Sequence, residues 1–122
     1  MSKKSLAELI ELIEEISIEK GMYCKDRSCE INECTVKKKK KERYPQEDDM
    51  LCFTVYTAFK LNMPFDDQLI RMDNKVLDYC HVRKCETCEV RKFKKKHKRI
   101  KYADCYITYL ILYIYDRLDL IE

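Results

Sequence analysis

The sequence has a single glycine, Gly21, and two prolines, Pro45 and Pro64. No phosphate-cradling loop, dinucleotide fingerprint or nucleophile elbow can be written on it, because each needs glycine where the backbone turns sharply or must approach a ligand. Tight glycine-dependent turns are equally scarce, so helices are favoured over a sheet of many hairpins. A long apolar run is also missing. The longest, between Asp104 and Asp116, is too short to cross a ~30 Å bilayer core, so no membrane partner is expected. The opening stretch, MSKKSLAELIELIEEISIEKG, is amphipathic and acidic where a secretory leader would be continuously apolar. These absences point to an all-α protein without catalytic activity, one small domain over residues 1–122 built as a bundle of about five helices.

What is abundant is charge. Charged residues make up 39% of the chain against ~25% in an ordinary domain, so much of the surface must be ionic. The net +3 is strongly segregated: Lys37–Arg43 carries +5 and Arg83–Lys101 carries +8, leaving the remainder at −10. Two basic blocks on an acidic body imply an anionic partner met by those blocks, either nucleic acid or an acidic protein surface.

Periodicity places the helices. SLAE at residues 5–8 is a capping box, and Leu6, Leu9, Ile10, Ile13 and Ile16 follow as a helical stripe that Gly21 is expected to end. VKKKKKERYP reads as a charged connector. Pro45 then opens a segment whose first turn is acidic, with Leu51, Val55, Tyr56 and Phe59 at helical spacing. Beyond Pro64, Asp66 or Asp67 caps a helix whose buried stripe is Leu69, Met72, Val76, Tyr79 and Cys80. Asp66-Asp67 and Glu47-Asp48-Asp49 are read as helix caps ahead of any Mg²⁺ site. Val90, Phe93, His97 and Ile100 form a narrow apolar seam along a basic helix. The last segment reads as a buried helix carrying Tyr102, Tyr106, Tyr109 and Tyr113 as a stripe, offered as core or as a homodimer contact.

Eight cysteines in a chain without a leader suggest a reducing compartment, the cytoplasm or a host-cell interior, where thiols bind metal more often than they form permanent bridges. Cys24, Cys29 and Cys34 lie five residues apart, a step that aligns on no regular element, so an irregular loop is expected there. Cys85-x-x-Cys88 supplies a close ligand pair for zinc, Cys80 a third ligand, and Cys105 a fourth in preference to His81 or His97. His97 beside Phe93 suits a core histidine equally well. Cys24, Cys29, Cys34 and Cys52 would form a second set. The spacing Cys80-x4-Cys85-x2-Cys88 followed by Cys105 matches a plant-type iron–sulfur ligand run. The intervening HVRK and ET lack that run's small, glycine-bearing loop, so iron–sulfur stands behind zinc. Disulfides and ordinary buried thiols are the other readings.

In the reading these features support, metal-stapled loops orient a basic helix toward nucleic acid. Lys92, Lys94, Lys95, Lys96, Lys98, Arg99 and Lys101 would meet phosphates, with Lys38, Lys39 and Lys40 from the first block. Phe93, Tyr102 and Tyr44 stand beside them as stacking candidates, although core packing is the ordinary fate of such rings. The rival is a protein-binding adaptor or inhibitor, encoded by a virus or mobile element, that uses the basic face and the Tyr/Leu/Ile helix. An A/T-rich cellular or viral genome would fit the lysine, isoleucine and tyrosine content.

Overall fold

A computed structural model describes residues 4–25, 34–47, 50–82 and 84–121. Among these residues the regular structure is six α-helices and three short 3-10 turns, with no strand. The helices are α1 (Leu6–Lys25), α2 (Thr35–Arg43), α3 (Cys52–Lys60), α4 (Asp67–His81), α5 (Glu89–Lys96) and α6 (Cys105–Ile114). The turns are Cys85–Thr87, Lys98–Ile100 and Leu118–Leu120.

Six consecutive residues of α6, Ile107 to Leu112, are buried. A helix apolar on every face must be enclosed. Accordingly α1, α3, α4 and α5 pack around α6, while α2 packs on α3. Ile107, Leu110, Ile111 and Leu112 are fully covered inside the single chain, while Tyr106, Tyr113 and Ile114 on the same helix are half-buried. Asp104 caps this central helix, its Oδ1 accepting from the amides of Tyr106 and Ile107 at 2.9 and 3.2 Å.

The capping box of α1 forms as expected, with the Ser5 amide donating to Glu8 Oε1 and the Glu8 amide to Ser5 Oγ. Leu9, Ile13 and Ile16 are buried, and the same face continues to Lys20. Gly21 does not end α1. It stays right-handed, and the helix runs on to Lys25, so Cys24 sits on a helical turn where a loop was expected. The extension has a tertiary anchor: the Tyr23 hydroxyl accepts from the amides of Thr35 and Val36, the first turn of α2. Cys29 lies outside the described residues.

The lysine run expected as a connector is α2. Lysine is a good helix former, and cations are favourable in a last turn. Cys34 is its N-cap, Sγ accepting from the Lys37 amide at 3.4 Å. Val36 and Tyr44 anchor the helix in the core, and the Tyr44 hydroxyl donates to the Asp66 carbonyl at 2.9 Å. This additional helix is why six are found where about five were expected.

No helix starts at Pro45, which lies in a turn; α3 begins later, at Cys52. Asp48 and Asp49 lie outside the described residues. The cap of α3 comes from another helix. Asp73 on α4, 3% exposed, accepts from the Leu51 amide at 3.0 Å and from Thr54 Oγ1 at 2.7 Å. The expected cap of α4 is present, Asp66 Oδ1 accepting from the Gln68 amide.

With glycine absent from the corners, two other residues take the left-handed conformation. Asn62 (φ 55°) ends α3 and Asp116 (φ 56°) ends α6. Each closes a Schellman pair: Met63 and Asn62 donate to the carbonyls of Ala58 and Phe59, and Arg117 and Asp116 to those of Leu112 and Tyr113. Asn and Asp are the residues, after glycine, that visit this region most readily.

Burial pushes the Asp73 carboxyl above its ordinary range; the bonds from Thr54 and Leu51 and the charge of Lys40 only partly oppose this. The native state therefore holds this proton more tightly than the unfolded chain, whose value is ~3.9. The resulting contribution to stability is complete below that value and is lost as pH rises through the folded one. Asp73→Asn keeps an oxygen acceptor and removes the titration. Its urea midpoint, measured between about pH 4 and 7, is expected to gain on the wild type as pH rises. Asp73→Ala, which orphans the Leu51 amide, should lose roughly 1–3 kcal/mol.

Candidate functional site

The described cysteines occupy helix ends. Cys34 caps α2, Cys52 opens α3, Cys80 is the penultimate residue of α4, and Cys105 opens α6; all four are half-buried. Cys85 is exposed, and Cys88, half-buried, is the N-cap of α5. Cys80, Cys85 and Cys105 come from three separate elements, α4, the Cys85–Thr87 turn and α6. The Tyr106 hydroxyl is pushed up first by burial, then by the charges of Cys80, Asp104, Cys105 and Cys85. Among the described residues, however, no three His, Cys, Asp or Glu side chains converge as a ligand set, and no disulfide joins any two of the described cysteines. Close spacing along the chain thus does not by itself arrange the described thiols about a common centre. His97 is half-buried, its ring 4.9 Å from that of Phe93, and His81 is exposed.

The basic segment is not one helix. At His97 the backbone becomes extended (φ −124°, ψ 103°), after which Lys98–Ile100 forms a 3-10 turn. Val90, Phe93 and Ile100 are buried as expected, so Phe93 is core and not a stacking ring. Two of the cations assigned to phosphate are used internally. Lys94 is 8% exposed and donates to the Ala103 carbonyl at 2.6 Å, while Lys40 donates to the Met50 carbonyl at 2.9 Å. Lys92 pairs with Glu89 at 3.1 Å and Arg99 with Glu14 at 2.8 Å, both near the surface, where such pairs are worth little. Lys95, Lys96, Lys98 and Lys101 remain exposed with no such partner among the described residues, and Lys38 is exposed on α2. Lys39 is half-buried.

Tyr102 departs most from expectation. It precedes the cap of α6, so it leaves the tyrosine stripe and is 91% exposed. The Lys101 ammonium lies 5.4 Å from the centre of its ring. The rest of the stripe is packed: Tyr106 stacks on Phe53 at 5.4 Å, and the Tyr109 ring lies tilted 4.7 Å from that of Tyr79. Tyr44, the other proposed stacking ring, is buried.

Tyr102 stands on the rim of a groove of about 680 Å³ between α1 and the chain segment that joins α5 to α6. Lys25, Lys98 and Arg99 supply its cations, Ile18 and Met22 apolar wall, and Phe53 part of its lining. Lys20 and Cys24 also line it, as an i, i+4 pair that becomes visible only once α1 runs past Gly21. Protein-family models, curated proteins and solved structures give no match to the chain.

Stability measurements should separate internal from external groups. Lys94→Ala removes a charge-assisted bond to a part-buried carbonyl, so urea unfolding should show a loss of roughly 1.5–3 kcal/mol. Tyr102→Ala should stay within about 0.5 kcal/mol of the wild type.

Proposed function

We propose that this protein binds single-stranded nucleic acid, without catalysis, along the cationic edge formed by α5, the Lys98–Ile100 turn and Tyr102. The observation that carries this reading is Tyr102. Its ring is 91% exposed beside the chain's most basic segment, with an ammonium across its face. An exposed aromatic among cations is the combination that single strands engage: bases stack on the ring, and phosphates exchange condensed counterions for lysine and arginine. Lys95, Lys96, Lys98 and Lys101 supply the cations, and the neighbouring groove offers room beside the ring for an unstacked base. The rival adaptor reading draws on the same basic face together with the Tyr/Leu/Ile helix, of which Ile107 to Leu112 are buried within the chain. Zinc and iron–sulfur do not enter the proposal, because binding by this edge requires neither.

Fluorescence anisotropy with labelled single- and double-stranded DNA and RNA, across a salt series, tests it. Single strands should bind more tightly. Log affinity should fall linearly with log salt, by roughly 0.7 per phosphate neutralised on a single strand. Replacing Lys95, Lys96, Lys98 and Lys101 with glutamate should flatten that slope, whereas Tyr102→Ala should cost ~1–3 kcal/mol with the slope kept. Absence of binding at low salt to every one of these ligands would overturn the assignment and leave an acidic protein partner as the reading.

A further inference from the structure

We propose that Lys20 and Cys24 are a modification site: exposed to dioxygen, they form a covalent N–O–S bridge, one oxygen joining Nζ to Sγ. The inference is independent of nucleic-acid binding.

Lys20 continues the buried stripe of α1 and is 6% exposed, an unusual position for an ammonium. Among the described residues it has no carboxylate within ion-pair distance. Its one hydrogen-bond partner there is the Cys24 thiol, 2.7 Å away. The faces of Phe53 and Tyr56 lie 4.5 and 5.8 Å from its ammonium. The nearby Asp104 carboxylate is occupied in capping α6. A separation of 2.7 Å is ordinary for a charge-assisted bond to oxygen (~2.7–2.9 Å), but sulfur is a larger atom and a weaker acceptor. The same separation is close to the span of two single bonds meeting at one oxygen. The helix therefore holds both ends of the bridge where the product needs them, and α1 does not have to bend to close it.

Access is open as well. Cys24 is exposed, both side chains line the groove, and nothing lies within 4 Å of the space that a side chain on Gly21 would enter. A small oxidant reaches the pair from solvent.

The chemistry balances with dioxygen as oxidant. Lys20 first gives its extra proton to solvent. The neutral amine then loses one N–H and the thiol its S–H, while N–O and O–S bonds form around one oxygen atom. The second oxygen leaves as water with the two hydrogens. Nitrogen and sulfur each give up two electrons, the four that dioxygen accepts. A dithiol reverses the step, two equivalents returning the four electrons and releasing the bridging oxygen as water. The closed bridge staples the turn of α1 that carries Tyr23, and through Tyr23 the start of α2.

The test uses the full chain, purified without reductant and exposed to air. Tandem mass spectrometry should find the segment containing Lys20 and Cys24 heavier by one oxygen and lighter by two hydrogens. Trypsin should no longer cut after Lys20, and iodoacetamide should no longer label Cys24. Dithiothreitol should restore all three. Lys20→Arg and Cys24→Ser should each abolish the mass change, but the wild-type spectrum alone is decisive if either variant fails to fold. Full labelling of Cys24 after air exposure overturns the proposal. So does an added oxygen without hydrogen loss, which is a sulfenic acid, or hydrogen loss without oxygen, which is a sulfenamide or a disulfide.

Discussion

Enclosing α6 is the constraint on which the rest depends. From Ile107 to Leu112 no side chain is left to water, so the other helices must supply apolar surface on every side. Apolar surface removed from water is worth ~25 cal/mol per Å², so this run contributes strongly to holding the bundle together. The ends of α6 are then a polar problem inside an apolar one, since the first amides and last carbonyls of a helix lack intrahelical partners. Asp104 answers at one end and the left-handed Asp116 at the other. Burial pushes the Asp104 carboxyl up, and the amides of Ile107 and Tyr106 draw it back only in part.

The same economy governs the other helix ends. Asp66 caps α4 from its own chain neighbourhood, Cys34 caps α2 through sulfur, and α3 borrows its cap from Asp73 across the core. With glycine scarce, Asn62 and Asp116 take the left-handed conformation at the ends of α3 and α6.

Some of this was legible in the sequence. The capping box at Ser5, the Asp66 cap, the stripe of α4 and the buried character of α6 are local patterns, each set by residues within a turn or two of one another. The rest depended on contacts between segments far apart. Val36 and Tyr44, eight positions apart, are the anchors of α2, too few for a periodic signal amid lysines. Gly21 reads as a stop unless Tyr23 is known to reach α2. Metal stapling was inferred from spacing, but spacing sets only how cheaply two ligands can be brought together. Whether four meet is decided by where α4, α5 and α6 begin and end, and in the described residues that packing gives the thiols no shared centre.

The bend at His97 shows how packing decides which charges face outward. Val90, Phe93 and Ile100 would share a face on one unbroken helix, so the apolar seam by itself gives no reason to turn. The reason is α6, which must enter the core at once. A straight basic rod would carry the chain past its entry point. The chain breaks at His97, and Lys94 braces the corner by bonding the Ala103 carbonyl, a use of lysine that no charge count reveals. Because Asp104 must sit at the first turn of α6, Tyr102 falls on the outside of that corner with Lys101 beside it. The exposed ring and the lysine beside it are thus a consequence of how an apolar helix is brought indoors.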